Sequence, residues 1–229
     1  MSPRISIVVI ALNEEQALPG LLDDLRPMRE AGHEIIVVDG GSRDATRTLA
    51  RAGADQVLCC PPGRARQSNA GARVAHGRLL WFLHADSRVS GAVRQAFDGF
   101  VEPGWGRFDV VIRAEGGQRA CRLALRGIAW AMNLRSRLSG IATGDQGIFV
   151  SREWFDRVGG FPEQPLMEDI ALSRALKRRA SPQCLRGPLS TSGRRWCQRG
   201  VVRTVVLMWG LRLGYWLGVS PRILASWYR

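Results

Sequence analysis

Four acidic positions carry most of the chemistry open to this sequence. Asp86 closes an apolar run in Leu80-Trp81-Phe82-Leu83-His84-Ala85-Asp86. A carboxylate at the end of a buried strand suits a hard cation shared with phosphate oxygens, and Mg²⁺ or Mn²⁺ held there would neutralise charge on a diphosphate. His84, two residues earlier, falls on the same side of an extended chain and is a second candidate ligand. Asp39 ends another run, Val37-Val38-Asp39-Gly40-Gly41-Ser42. It could accept hydrogen bonds from a ribose or a base, with the glycines letting backbone come close, or simply form a turn. Glu168-Asp169 is an acidic pair at an expected helix start, where the helix dipole alone favours acids. One of the two could take a proton from a hydroxyl as general base, leaving the other structural. Asp145, in Thr143-Gly144-Asp145-Gln146-Gly147, is the fourth.

These residues act together only if the chain brings them to one place. The runs at residues 5–11, 34–38, 56–59 and 78–83 are short, apolar and rich in branched residues, and amphipathic helical patterns separate them. Continuous rather than alternating apolarity predicts strands of a mostly parallel sheet covered by helices on both faces. Ligands of such sheets bind outside the carboxyl ends of the strands. Asn13 and Glu14 follow the first strand, Asp39 the second and Asp86 the fourth, so all four are expected at one edge, with Ala11 beside them. Arg64, Gln67 and Asn69 open a helix after Pro61-Pro62-Gly63, where side chains and helix N-terminus could hold a phosphate or nucleobase. Beyond residue 100 the alternation weakens. A strand at 108–113, a helix at 118–138, a short strand at 147–150 and a helix at 168–179 are expected there, with Ser42 and Ser151 as helix caps.

The 229 residues suffice for one sizeable domain, and 45% apolar with 23% charged residues is ordinary for a globular chain. The net charge of +13 is unevenly placed: Asp169 is the last acid, and every charged residue after it is Arg or Lys. A basic end on a balanced domain points to phosphates, an anionic membrane surface or a nucleic acid. The stretch 201–219 is apolar and aromatic but contains Arg203 and Arg212, which disfavour a span. A helix packed on the domain or lying on a membrane surface is expected, with Gly210, Gly214 and Gly218 at a spacing that marks close helix packing. Five cysteines without a C-x-x-C pair, and no signal peptide, fit a reducing cytoplasm. No G-x-G-x-x-G, P-loop, hydrolase elbow or nucleic-acid motif occurs.

Taken together, residues 3–180 resemble the family-2 glycosyltransferases of GT-A fold. Ala11-Leu12-Asn13-Glu14 is similar to that family's nucleotide-binding start, and Asp39 to Thr46 to its D-x-x-S-x-D-x-T segment. Residues 64–77 resemble its N-x-G-x-x-x-A-x-G helix, and His84-Ala85-Asp86 stands where its metal-binding D-x-D belongs, with His84 in place of the first Asp. Gly159-Gly160-Phe161 and Glu168-Asp169 are similar to its GGF…ED segment, and Arg194-Arg195-Trp196 distantly to its Q-x-x-R-W. The resemblance implies a GT-A, Rossmann-like domain over 1–190 with a basic helical extension over 191–229. It implies a nucleoside-diphosphate sugar donor, a UDP-sugar favoured, held by Ala11, Asn13, Glu14, Asp39, Arg64, Gln67, Asn69 and Asp86. It implies Mg²⁺ or Mn²⁺ on Asp86 and His84, Asp169 as base with Glu168 in support, and inversion at the sugar. The acceptor, a small molecule or a lipid-linked one, would meet Asp145, Gln146, Arg195 and Trp196. The His-Ala-Asp variant and the run around Gly144 to Ile170 also resemble a bacterial subgroup associated with radical-SAM proteins and arsenosugar biosynthesis. Nucleotidyl transfer on the same fold, or a basic membrane- or nucleic-acid-binding module, are the rival readings. The resemblance implies no nucleic-acid partner and a cytoplasmic enzyme, with peripheral contact at the inner membrane face.

Overall fold

The computed structural model describes residues 5–114 and 119–228, without the side chains of Arg195 and Arg199. The chain opens with β1 (Ile5–Ala11), α1 (Leu18–Glu30), β2 (Glu34–Asp39), α2 (Thr46–Gly53), β3 (Gln56–Cys59), α3 (Arg64–Val74) and β4 (Leu79–His84). These strands lie parallel in the spatial order β3-β2-β1-β4. Successive residues divide between the two faces. Ile7, Val9, Val37, Trp81 and Leu83 pack under α1, while Val8, Ile36, Val38, Leu80 and Phe82 pack under α3. That is why the strands are apolar throughout: neither face meets water.

The second half follows with α4 (Gly91–Ala96), β5 (Trp105–Arg113), α5 (Arg119–Ser139), β6 (Phe149–Ser151), α6 (Arg152–Arg157), α7 (Glu168–Lys177) and β7 (Gln183–Ser192). It extends the sheet to seven strands, β3-β2-β1-β4-β6-β5-β7. β6 runs antiparallel to both β4 and β5, and β7 returns parallel to β5 across an irregularity between Phe108 and Val110. β7 was not expected from sequence. Its Gly187-Pro188 reads as a strand breaker, and an edge position is where such residues are tolerated. Ser42 does not cap α2, which begins at Thr46; its hydroxyl bonds Asp39 instead.

The chain ends in α8 (Arg194–Arg199), α9 (Val201–Trp216) and α10 (Pro221–Tyr228). Leu211 of α9 and Leu224 of α10 are buried against Leu166, Met167 and Ile170 at the start of α7. No helix among the described residues is long and apolar enough to cross a membrane. The glycine spacing in α9 has a local use. A Cβ on Gly214 would touch Leu224 of α10 at 3.0 Å, Gly218 ends the helix at φ 86°, and Gly210 faces open space. Cys121 of α5 and Cys197 of α8 form a disulfide. The cysteine pattern did not foretell it, because the partners lie 76 residues apart and match no motif spacing.

α3 packs tightly on β1 and β2 at Gly71. A Cβ on Gly71 would overlap the Val8 side chain and touch Val38 at 3.0 Å. Gly71→Ala is expected to lower unfolding free energy by about 1–3 kcal/mol, as overpacking of a tight core does. Urea denaturation would measure it; an unchanged midpoint would show that α3 can move away without cost.

Candidate functional site

A cleft of about 1660 Å³ opens beyond the carboxyl ends of β1 and β4, between them and α5, α7 and α9. Glu14, Arg64, His84, Asp86, Asp145 and Asp169 all line it. Strand ends and loops from both halves of the chain therefore meet as the parallel sheet requires.

The floor is fixed by hydrogen bonds that leave little freedom. Gly40 N–H and Ala85 N–H donate to the last carbonyls of β1, those of Ala11 and Ile10. The buried Gln67 amide donates to the Ala11 and Val38 carbonyls, both at 2.9 Å, joining the ends of β1 and β2 to α3. Arg113 of β5 donates to the Asp86 carbonyl at 3.0 Å and to Ser190 at 3.3 Å. The turn after β4 is thus held from the opposite side of the sheet.

Glu14 and Asp86 form the acidic side of the cleft. Burial pushes the Asp86 carboxyl up, and Asp145 adds to this, while His84 and Arg113 oppose it. Burial likewise raises Glu14, with Asp86 adding to it and Arg194 and His84 pulling back. Glu14 Oε1 lies 3.5 Å from Arg194, and Glu14 Oε2 is buried without a partner. Two carboxylates whose charged forms repel, one with an orphaned oxygen, are suited to a cation. No group of three or more His, Cys, Asp or Glu among the described residues would hold a metal unaided. The donor set fits Mg²⁺ or Mn²⁺ of the kind that takes one or two carboxylates and completes its shell with substrate phosphates and water. His84 shares this wall because residue 144 is glycine: a Cβ there would lie 2.6 Å from His84 Nε2.

Glu168 and Asp169 diverge. Glu168 turns inward to meet Arg64 across 104 residues of chain, with Nε–Oε1 at 2.6 Å and Nη2–Oε2 at 3.2 Å. Burial pushes the Glu168 carboxyl up and the guanidinium pulls it back. Asp169 faces the cleft, accepting from Gly144 N–H at 2.9 Å and from Ile170 N–H at 2.7 Å. Met167, just before the pair, is held at φ 65°, a conformation that few non-glycine residues adopt.

Other expected residues lie elsewhere. Asp39 is fully buried and does not line the cleft; it accepts from Gly41 N–H and Ser42 N–H at 3.0 Å and from the Ser42 hydroxyl. It organises its own turn, as a short acidic side chain before glycines does. Asn13 (φ 54°) bonds the backbone of Arg43 and the Ser42 hydroxyl, tying the β1 loop to the β2 loop. Asn69 clamps Phe161, donating to its carbonyl at 2.8 Å and accepting from its N–H at 2.9 Å. Gln146 is fully buried and bonds Thr143 and Asn133. These four placements differ from the expected ligand contacts for one reason: short amides and carboxylates beside exposed backbone amides satisfy the backbone first. Trp196 lines the cleft, whereas the side chain of Arg195 lies outside the described residues. The sequence assigned no site role to Arg113, Arg135, Arg194 and Arg212, since single arginines in a strand or helix carry no spacing signal.

Residues 6–104 match the family model described as Glycosyl transferase family 2. Over 102 residues the chain is 34% identical to an uncharacterized glycosyltransferase of Mycobacterium tuberculosis, covering 39% of this chain and 36% of that protein. It is 37% identical over 102 residues to a dolichyl-phosphate beta-glucosyltransferase of Drosophila melanogaster, covering 37% and 31%. The chain thus spans about a third of the length of the curated relatives it matches. Among solved structures, TarS of S. aureus superposes with TM-score 0.63 at 16% identity, over 83% of this chain and 60% of that one. Glucosyl-3-phosphoglycerate synthase of Mycobacterium tuberculosis, solved with Mn²⁺, UDP and phosphoglyceric acid, gives 0.59 at 21%, over 82% and 70%. The mannosyltransferase PcManGT of Pyrobaculum calidifontis, solved with GDP-Man and Mn²⁺, gives 0.60 at 20%, over 84% and 57%. These likenesses establish the fold, a GT-A-type mixed α/β sheet with helices on both faces.

The Arg64–Glu168 pair yields a stability test. Arg64→Met should cost about 2–3 kcal/mol, less than a fully buried pair because Arg64 reaches solvent. Adding Glu168→Gln should recover part of that loss, since the uncompensated charge goes with it. A double variant no more stable than Arg64→Met alone, by chemical denaturation, would mean that the two groups are not coupled.

Proposed function

We propose that this protein transfers a glycosyl group from a nucleoside-diphosphate sugar to an acceptor, with inversion. The observation that carries the reading is that Asp86 and Asp169 line one cleft, with Glu168 turned away onto Arg64. The partial match of residues 6–104 to Glycosyl transferase family 2 supports it.

In this reading the donor lies over the ends of β1 and β4. Ala11, Glu14 and Asp86 border its nucleotide and diphosphate, with Gln67 and Arg64 at the head of α3. Asp39, Asn13 and Asn69 serve by holding the loops that shape this surface. Asp86 with His84 would hold Mg²⁺ or Mn²⁺, as the ions bound by similarly folded enzymes support; the ion would offset the charge of the departing diphosphate. Asp169 takes the proton from the acceptor hydroxyl. The oxygen then bonds to the anomeric carbon from the face opposite the diphosphate, whose bond to that carbon breaks. Two hydrogen bonds from backbone N–H groups hold the Asp169 carboxylate in place, so it is positioned without reorganisation.

A UDP-sugar is the favoured donor, in keeping with the UDP in a similarly folded synthase. Residues 1–190 form the catalytic part, and 191–229 an extension that completes the acceptor side through Trp196. The His84-Ala85-Asp86 variant supports the bacterial subgroup with small-molecule acceptors. Trp130, Trp209 and Trp216 are exposed beside many arginines, which supports peripheral contact with the cytoplasmic face of a membrane.

Two substitutions separate binding from chemistry. Asp169→Asn should keep nucleotide binding and lose about 10²- to 10⁴-fold in turnover, the usual worth of a placed base. Turnover close to that of the unaltered enzyme would remove the base assignment. Asp86→Ala should abolish the extra thermal stabilisation that Mn²⁺ gives to a nucleoside diphosphate complex. A saturating ligand adds roughly 2.7 kcal/mol at 100 times its dissociation constant, so the loss is easily measured. Persistence of the metal effect in the variant would place the ion elsewhere.

A further inference from the structure

Two arginines stand together on the side of the cleft away from Glu14. Arg135 comes from α5 and Arg212 from α9, and both line the cavity. One Arg135 nitrogen is engaged, Nη1 donating to the Ile141 carbonyl at 3.3 Å, while Nε and Nη2 are buried without a partner. Arg212 makes no hydrogen bond or close ion pair with a described residue. Other buried guanidiniums are matched: Arg64 by Glu168, and Arg107 by Asp109. Burial pulls Arg135 down to about 10, and the neighbouring Arg212 adds to this. Burial lowers Arg212 as well.

Two like charges withdrawn from water beside each other, with donors unmet, are unfavourable in the empty protein. A fold keeps such a pair when something else completes it. Arg64 also lines the cleft and acts on Glu168, Asp169 and Asp145, but Glu168 already matches it. His84, Arg113 and Arg194 act on Asp86 and Glu14, the donor side. Arg135 and Arg212 act on Asp169, and Arg212 also on Asp145. The unmatched pair therefore acts on the proposed base, beside which the acceptor must lie, and Asp145 links it to Asp86 on the donor side.

We infer that Arg135 and Arg212 form an anion subsite that takes a phosphate monoester on the acceptor, next to the hydroxyl facing Asp169. This rests on the glycosyl-transfer reading of the cleft. A phosphate monoester carries close to two negative charges at neutral pH and three acceptor oxygens. It balances two guanidiniums, whose planar forks match phosphate geometry; a carboxylate would leave one positive charge over. The phosphate could sit on a small polar molecule or on a lipid that carries a free hydroxyl beside it. The same cleft is bordered by Trp130, Leu134, Trp209 and Leu213, which would receive an apolar chain.

Isothermal titration of the full chain with inorganic phosphate and with octyl phosphate tests this. At least one anion should bind the unaltered protein, and Arg135→Gln or Arg212→Gln should weaken it by about tenfold or more. Binding of a nucleoside diphosphate with Mn²⁺ should survive both substitutions. Arg135→Gln should also melt no lower than the unaltered protein, because a buried unmatched charge is removed; a purely structural arginine would lower the melting temperature. Should Arg135→Gln fail to fold, Arg212→Gln carries the same test from α9. Much tighter octyl phosphate binding would identify a lipid-borne phosphate, and similar affinities a small phosphorylated acceptor. The inference is overturned if neither anion binds, if both variants bind phosphate as well as the unaltered protein, or if they lose nucleotide in parallel with phosphate. Failure of the broader reading has a separate sign: no metal-dependent nucleotide binding by the unaltered protein.

Discussion

The arrangement of the cleft depends on one contact, the double hydrogen-bonded ion pair between Arg64 and Glu168. It joins the first turn of α3, which Gln67 ties to the ends of β1 and β2, to the first turn of α7, which carries Asp169. Adjacent residues on a helix point about 100° apart, so fixing Glu168 inward on Arg64 leaves Asp169 toward the cleft. The Asn69 clamp on Phe161 reinforces the same connection a turn further along α3. The two halves of the chain, which alternate differently in sequence, are thereby locked at the point where donor and acceptor would meet. A nearly buried carboxylate needs such a partner on energetic grounds alone. The structural requirement of Glu168 and the positional requirement of Asp169 are met by one bond.

The N-terminal half was legible because its signals are local. Continuous apolar runs specify buried parallel strands, and parallel strands place their following residues on one edge; Glu14 and Asp86 meet there as expected. What the sequence left open was direction. Asp39, Asn13, Asn69 and Gln146 are near the site or behind it, yet their side chains bond neighbouring backbone. Periodicity reports which face a residue occupies, not whether a loop amide will claim its side chain. The edge strand β7 was hidden by Gly187 and Pro188, and the Cys121–Cys197 bond by its long separation. The arginines of α5 and α9 were hidden because a single charge on an apolar helix looks like any solvated residue until the helix is docked.

The basic end of the sequence acquires a specific meaning from the fold. Its charge is not spread as a uniform patch over a surface. Arg194 sits 3.5 Å from Glu14, Arg212 lines the cleft within electrostatic reach of Asp169, and Arg174 stacks on Tyr215 at 5.0 Å. The absence of acids after Asp169 is thus understandable. An acidic residue on α8 or α9 facing the cleft would pair with these arginines and fill the places that a substrate anion would otherwise take.

The cleft is electrostatically divided in consequence. On the β1–β4 side, Glu14 and Asp86 are carboxylates pushed toward protonation by burial, Glu14 also by Asp86 and Asp86 also by Asp145, a state relieved by a cation. On the α5–α9 side, Arg135 and Arg212 are guanidiniums under the same pressures with the sign reversed, a state relieved by an anion. Asp169 lies between, held by backbone donors. Each unfavourable charge pair destabilises the empty protein, and each would be relieved by a different component of a transfer reaction. Binding of metal and donor would remove the repulsion on one side; binding of an anionic acceptor would remove it on the other. Stability withheld from the empty fold in this way is returned in part by each substrate, and in full when both are present.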